Sequence, residues 1–99
     1  MAVAVELSYE SGVTLDDYYE ILERLGARPS GPHPDPGCLF HWVAQVDGAF
    51  RTVDVWESRE QFEQYVQDRL MPVVADVGVT QEPRITFTEV ASYHTAGRQ

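Results

Sequence analysis

The residues best suited to chemistry are His41 and Asp54, which lie in CLFHWVAQVDGAFRTVDVWES, residues 38–58. Two runs rich in Val, Phe, Trp and Thr flank Asp47-Gly48, a dipeptide favoured in two-residue hairpin turns because both positions need a positive φ. With that turn, strand pairing sets His41 opposite Asp54. An imidazole held by a carboxylate is a general base, because the carboxylate fixes the tautomer and stabilises the imidazolium.

Alternation of side chains divides this predicted hairpin into two faces. One face is apolar and is predicted to pack against helices; it carries Phe40, Trp42, Ala44, Val46, Val53 and Val55. The other face mixes aromatic and polar groups, with Leu39 opposite Trp56; it carries Leu39, His41, Val43, Gln45, Phe50, Thr52, Asp54 and Trp56. We expect this mixed face to line a cavity or to be covered by a second copy of the chain, since exposed aromatic patches are a liability.

Two interpretations of the mixed face stay open. As an active site, His41 is the base, Asp54 orients it, and the substrate is bound by Trp56, Phe50, Gln45, Thr52 and His94. Trp56 and Phe50 suit an aromatic ligand because their rings can stack on it. As a structural feature, His41 and Asp54 are a cross-strand pair worth roughly 0.2–1 kcal/mol, and the aromatic side chains fill a dimer core.

The rest of the chain supplies elements that position the hairpin. Before the hairpin, the sequence predicts a strand at 2–10, a helix capped by Thr14 and ended by Gly26, and a loop at 27–37 with four prolines. After the hairpin, it predicts a helix that begins with a Ser58–Gln61 capping box and that Pro72 ends or kinks. A strand at 84–94 and a frayed tail at 94–99 follow. His33 in the loop is interpreted as a solvated surface histidine. Tyr18 is interpreted as a helix-packing residue.

The predicted order of strand, helix, strand, strand, helix, strand is the ferredoxin-like βαββαβ pattern. The chain is therefore expected to be one α+β domain, residues 1–99, with two helices on one face of a four-stranded antiparallel sheet. Five apolar residues of the outer two strands are predicted to join the apolar hairpin face beneath the helices: Val3, Val5, Leu7, Ile85 and Phe87.

Composition narrows the classes of partner. The 99 residues carry a net charge of −9, from 16 acidic side chains against 7 basic ones, all of them arginine. Nucleic acids and anionic membranes are disfavoured as partners because no basic patch is present to displace counterions. A single cysteine, Cys38, and the lack of a signal-peptide pattern favour a cytoplasmic protein. No recognised metal-ligand spacing occurs, so no metal is expected.

The layout, the DVWES segment that leads straight into the second helix, and the mixed sheet face resemble the dimeric α/β-barrel superfamily, which includes the antibiotic biosynthesis monooxygenase-like proteins. The resemblance covers about residues 3–93 and implies a homodimer that binds a small aromatic or polyketide-like ligand. It further implies that the protein is a cofactor-independent monooxygenase. The alternatives are a cyclase or isomerase that uses the same base, and a non-catalytic ligand-binding or stress-type protein. One departure favours the alternatives: monooxygenase members use an asparagine beside a tryptophan, and this sequence has no asparagine.

Overall fold

The computed structural model describes residues 1–94, in which four antiparallel strands form one sheet in the order β2-β3-β1-β4. The strands are β1 (Val3–Tyr9), β2 (Cys38–Val46), β3 (Ala49–Trp56) and β4 (Arg84–Glu89). β1 leads to helix α1 (Leu15–Leu25), and β3 leads to α2 (Arg59–Tyr65), a π-helical turn (Val66–Leu70) and α3 (Met71–Val77). The predicted α+β ferredoxin-like fold is confirmed. Residues 95–99 of the predicted tail lie outside the described residues.

Both predicted helix starts are capped by side chains. The Thr14 hydroxyl accepts a hydrogen bond from the Asp17 backbone N–H at 3.1 Å, and the Asp17 carboxylate accepts one from Thr14 N–H at 3.0 Å. The Ser58 hydroxyl likewise accepts from Gln61 N–H at 3.2 Å. Each bond satisfies a backbone donor that the first helical turn leaves without a partner. The Gln61 side chain accepts from the Ser58 hydroxyl instead of reaching back to the backbone.

Pro72 does not end the second helical region as one prediction had it: the helix continues past it, and a π-helical turn directly precedes it. In a regular α-helix the proline ring would clash with the carbonyl group four residues earlier, that of Asp68. In the turn, the Met71 N–H instead bonds the carbonyl of Val66, five residues earlier. The helix therefore continues to Val77 and ends at Gly78, which takes a left-handed conformation with φ of 95°.

The hairpin forms with the predicted register. Asp47 and Gly48 both have positive φ, 50° and 81°, as a type I′ turn requires. His41 pairs with Asp54, and Val46 pairs with Ala49. The predicted pairing of Leu39 with Trp56 is wrong: an irregularity between Cys38 and Phe40 lets Cys38 pair with Trp56 instead. An extra residue in a strand shifts every pairing beyond it by one.

The prediction of which hairpin face packs against the helices is wrong. The helices cover the mixed face, because β1 pairs Val3 with Trp56 and Val5 with Asp54, and so brings its own apolar residues to that side. The buried cluster there consists of Val3, Val5, Trp56, Phe62 and Tyr65. Trp56 is 0% exposed, whereas the predicted helix-facing residues Phe40, Trp42 and Val46 are 45%, 41% and 52% exposed.

The last strand is shorter than the predicted 84–94. It ends at Glu89, which pairs with Val3, the first residue of β1. One further hydrogen bond, from Val90 N–H to the Ala2 carbonyl at 3.0 Å, extends the pairing with β1 by one residue. No helix in the described part of the chain is long and apolar enough to cross a membrane.

Candidate active site

A cavity of about 740 Å³ lies between the helix-covered face of the sheet, helix α1, the end of the α2–α3 region and the loop at 27–37. Its walls are mostly aliphatic and aromatic; they include Leu7, Tyr9, Ile21, Leu22, Phe50, Phe62 and Tyr65. His41 and Asp54 are part of the wall contributed by the hairpin. The size is within the range of small-molecule sites, about 300–1,000 Å³, which are typically apolar with a few polar groups.

His41 and Asp54 form a hydrogen-bonded pair between the two hairpin strands. His41 Nδ1 bonds Asp54 Oδ1, and the two side chains are only 24% and 12% exposed. Because a carboxylate accepts and does not donate, Nδ1 carries the proton and Nε2 of the neutral ring is left as an acceptor. Asp54 therefore fixes the tautomer of the His41 ring, and Nε2 is the ring nitrogen that can accept a proton.

Trp56 holds the other oxygen of the same carboxylate. The Trp56 indole Nε1–H donates to Asp54 Oδ2 at 3.2 Å, inside the buried cluster. A buried carboxylate is costly unless its oxygens accept hydrogen bonds, so this contact offsets part of the cost of burying Asp54. Trp56 itself packs edge-on against Phe62, with ring centroids 5.7 Å apart, and in a tilted arrangement against Tyr65, with centroids 5.4 Å apart.

Tyr18 completes the chain of hydrogen bonds on the cavity side. Its hydroxyl lies 3.1 Å from His41 Nε2 and donates to it. Burial, and next the negative charge of Asp54, raise the pKa of Tyr18 to about 12. The phenol therefore stays protonated at neutral pH. Tyr18 donates to His41, His41 donates to Asp54, and Trp56 donates to Asp54 from the opposite side.

His33 is not a solvated loop residue, so its interpretation as one is wrong. The side chain is half-buried and lines the cavity. Its ring makes edge contacts with His41, Trp56 and Tyr65, with centroid distances of 5.6, 5.4 and 5.1 Å. Burial lowers the pKa of His33, and the nearby His41 lowers it further. Two histidines of different surroundings therefore meet at one cavity.

Comparisons with known proteins find similar structures but no similar sequences. No family model matches the chain, and no curated protein matches it. An antibiotic biosynthesis monooxygenase-like protein from Chloroflexus aurantiacus superposes with a TM-score of 0.68 at 18% identity, covering 98% of this chain and 100% of that chain. SnoaB, a cofactor-independent oxygenase from Streptomyces nogalater, has a TM-score of 0.64 at 13% identity, with 98% of both chains covered.

The chain has the fold of the antibiotic biosynthesis monooxygenase-like proteins. NE2512 from Nitrosomonas europaea, a protein of unknown function, shares it too, with a TM-score of 0.73 at 10% identity over 98% of this chain and 96% of that chain. The predicted resemblance to this superfamily is confirmed at the level of the fold. Because one fold hosts many chemistries, function has to be argued from the cavity and its side chains.

The structure brings most of the predicted site residues to the cavity. Phe50 and Thr52 line it together with His41 and Asp54. Trp56 lies behind Asp54 in the buried cluster, where it supports the carboxylate. Gln45 is held elsewhere: its amide donates to the Val13 carbonyl and accepts from Leu15 N–H, both at 3.3 Å. His94 is exposed beyond β4 and is not among the residues that line the cavity.

Two residues that face the cavity were not predicted as site residues. Tyr18 follows the helical spacing of packing residues, and this spacing does not reveal that its hydroxyl reaches His41 across the cavity. His33 lies in a proline-rich loop whose path no local pattern specifies. The only available signal was the loop's length and composition, since long loops in small domains are often functional.

Replacing Tyr18 with phenylalanine is expected to lower the free energy of unfolding by about 1 kcal/mol, because His41 Nε2 loses its donor while the ring packing is kept. The measurement is urea denaturation at fixed protein concentration. Tyr19→Phe is the matched control, since the neighbouring Tyr19 is 47% exposed. Equal effects of the two substitutions would contradict a specific contact between Tyr18 and His41.

Proposed function

We propose that the protein is a cofactor-independent monooxygenase that acts on an aromatic, polyketide-like phenol. The observation that carries the proposal is the hydrogen-bonded series Tyr18–His41–Asp54, backed by Trp56, at the wall of the cavity of about 740 Å³. A carboxylate-supported imidazole beside an apolar, aromatic-lined space suits the removal of a proton from a large aromatic substrate. SnoaB, which shares the fold, is itself a cofactor-independent oxygenase.

His41 starts the reaction as the general base. The Tyr18 hydroxyl occupies Nε2 until the substrate takes its place, and Nε2 then removes a proton from an activated C–H group that is conjugated with the phenol. The charge is delocalised onto the substrate oxygen, as in an enolate. Asp54 stabilises the imidazolium that forms, because its carboxylate accepts the Nδ1–H.

Molecular oxygen is the oxidant in the steps that follow. The substrate carbanion reduces O₂ and bonds to it, and the imidazolium returns its proton to give a hydroperoxide. Loss of water from the hydroperoxide leaves a carbonyl group. The substrate thus loses two hydrogens and gains one oxygen atom, while the second oxygen atom leaves as water. All the electrons come from the substrate, which is why no further reductant is needed.

A cyclase or isomerase is the second candidate, because it needs the same base and no oxygen. The lack of asparagine in the sequence favours it, since the resemblance implies an asparagine in monooxygenase members. In this case the carbanion attacks a carbonyl within the same substrate or is reprotonated at another carbon. The two candidates differ in whether dioxygen is consumed.

Oxygen uptake with a dihydroxyanthrone separates these candidates. Monooxygenase activity predicts uptake above the spontaneous rate, with one O₂ consumed for each quinone formed. The cyclase or isomerase candidate predicts no uptake but conversion of a polyketide-like diketone under nitrogen. Denatured protein is the background control. Uptake equal to that background with several anthrones and phenols would refute the monooxygenase.

We further propose that the protein works as a homodimer that pairs through the sheet face opposite the helices. This surface, here called the outer face, includes Phe40, Trp42, Ala44, Val46 and Val53 on the hairpin. Phe40, Trp42 and Val46 are exposed, and Ala44 and Val53 are half-buried beside them. An apolar patch of this kind is typical of an interaction surface. A second copy would cover it with an identical apolar surface, as closed symmetric dimers do.

Replacing Trp42 with arginine is expected to convert this dimer into a monomer. Trp42 is central in the outer face and 41% exposed, so a buried charge would be placed at the interface without a partner. The measurement is light scattering coupled to size exclusion across a range of concentrations. Met71→Arg is the control, because Met71 is 54% exposed on α3, away from the outer face. A wild type that is monomeric at all concentrations would refute the dimer.

A further inference from the structure

The unexplained group at the cavity is His33, a second histidine supplied by a loop and not by the hairpin. Its ring lies across the rings of His41, Trp56 and Tyr65, and it lines the same cavity as the proposed base. The proposed proton transfer does not use it, because His41 takes the proton and Asp54 and Tyr18 complete that series. We therefore looked for a role of His33 other than proton transfer.

One nitrogen of His33 is fully engaged by its own loop. The Asp35 backbone N–H, which can only donate, lies 3.0 Å from His33 Nδ1, closer than the Asp35 carbonyl oxygen at 3.3 Å. Nδ1 is therefore an acceptor, and the proton of the neutral ring is on Nε2. Burial, as the main cause, lowers the pKa of this histidine, which favours the neutral ring at physiological pH. His33 is thereby set up as a donor through Nε2–H.

That donor is available to a ligand. Within residues 1–94, Nε2 of His33 forms no hydrogen bond, and no buried side-chain nitrogen or oxygen is left without a partner. Since Nε2 has no partner and is not among the buried atoms, part of its surface is accessible to solvent. The side chain lines the cavity, so a ligand bound there would lie beside the His33 ring.

The loop that carries His33 is tied down on both sides. Arg69, from the π-helical turn, donates to the Pro34 carbonyl at 3.3 Å and to the Leu25 carbonyl at 3.5 Å. On the other side, the Asp35 carboxylate accepts from Gly37 N–H at 2.8 Å, and the Gly37 carbonyl accepts from Glu57 N–H at 2.9 Å. These contacts hold the histidine in place, as a binding residue requires.

We propose that His33 is a substrate-binding residue whose Nε2–H donates a hydrogen bond to the phenol or enolate oxygen of the aromatic substrate, while His41 removes the proton. The inference rests on the proposed function for the class of substrate. The hydrogen bond strengthens as negative charge builds on that oxygen, because bonds to charged acceptors are stronger than bonds to neutral ones. A ligand without the oxygen would leave Nε2–H without a partner inside the cavity.

Binding of naphthol and naphthalene, measured by equilibrium dialysis, tests this role without turnover. Wild type is expected to bind naphthol more tightly than naphthalene. His33→Phe keeps an aromatic ring against Trp56 and Tyr65 but has no donor, and is expected to lose about tenfold in affinity for naphthol alone. His33→Gln, which returns an N–H donor, is expected to recover part of the loss. His94→Gln is the matched histidine control outside the cavity.

Nitrogen NMR of histidine-labelled wild type gives a second readout that does not depend on any variant folding. The His33 Nε2 resonance is expected to shift with naphthol and to stay in place with naphthalene. No preference for naphthol, or an unchanged preference in His33→Phe, would overturn the role of His33 even if oxygen uptake is observed. Naphthol selectivity that depends on His33, without oxygen uptake on any anthrone, would instead refute the monooxygenase and leave the binding role standing.

Discussion

Replacing His41 with glutamine is expected to lower kcat/KM for the anthrone substrate by roughly 10²–10⁴-fold, the usual contribution of a general base. Glutamine keeps hydrogen-bonding capacity between Tyr18 and Asp54 but has no basic nitrogen at neutral pH. The cavity wall is therefore largely kept while proton removal is lost. The measurement is the initial rate of oxygen uptake, corrected for the spontaneous reaction and compared with His94→Gln.

Asp54→Asn tests the same proton removal through the partner of His41 Nδ1. An amide in place of the carboxylate can donate to Nδ1, and this would move the ring proton to Nε2, the nitrogen that has to accept the substrate proton. We expect activity to fall as far as in His41→Gln, with melting temperature unchanged or raised, because catalytic groups are often held at a cost in stability. A large drop in melting temperature in both variants, with oxygen uptake preserved, would assign the pair a structural role.

The hairpin register was predictable because it depends on local chemistry. Asp47-Gly48 accepts positive φ at both positions, and a two-residue turn fixes each pair of the flanking strands. The contact of His41 with Asp54 follows from that turn alone. Helix starts at Thr14 and Ser58 were predictable for the same reason, since a cap needs only residues within one helical turn.

The orientation of the hairpin relative to the helices was not predictable from the hairpin itself. Both faces carry large apolar side chains, so alternation alone does not show which one the helices cover. The choice comes from β1, whose Val3 and Val5 pair with Trp56 and Asp54 and thus add to the mixed face. The buried face therefore contains the ionisable pair, and the cavity forms on that side of the sheet.

The contacts that link distant segments were also beyond sequence patterns. Tyr18 meets His41 across the cavity, and the loop histidine meets Trp56, because α1, the loop and the hairpin are brought together only by the complete fold. Arg69 reaches the loop from the π-helical turn, a feature that Pro72 indicates only indirectly. Side chains that act together here are separated in sequence, which is the common situation in binding sites.

Replacing Trp56 with alanine is expected to lower the free energy of unfolding by about 3–5 kcal/mol, the usual cost of removing a large buried aromatic side chain. Trp56 is 0% exposed and contacts Phe62, Tyr65 and His33, so its loss leaves a cavity in the main cluster. Domains of this size have only about 5–15 kcal/mol in total, so the variant is expected to be close to unfolding. Urea denaturation at fixed protein concentration is the measurement.

Trp56→Phe separates the two roles of this side chain. Phenylalanine keeps most of the packing but removes the Nε1–H that bonds Asp54 Oδ2, so we expect a smaller loss of about 1–3 kcal/mol from the unsatisfied buried carboxylate. Tyr19→Ala, at an exposed aromatic position on α1, is expected to change stability little. If Trp56→Phe matched wild type in stability and in oxygen uptake, the indole N–H would not support the carboxylate, and Asp54 would be held by His41 alone. If stability fell but uptake per folded molecule were unchanged, the bond would serve the fold and not the base.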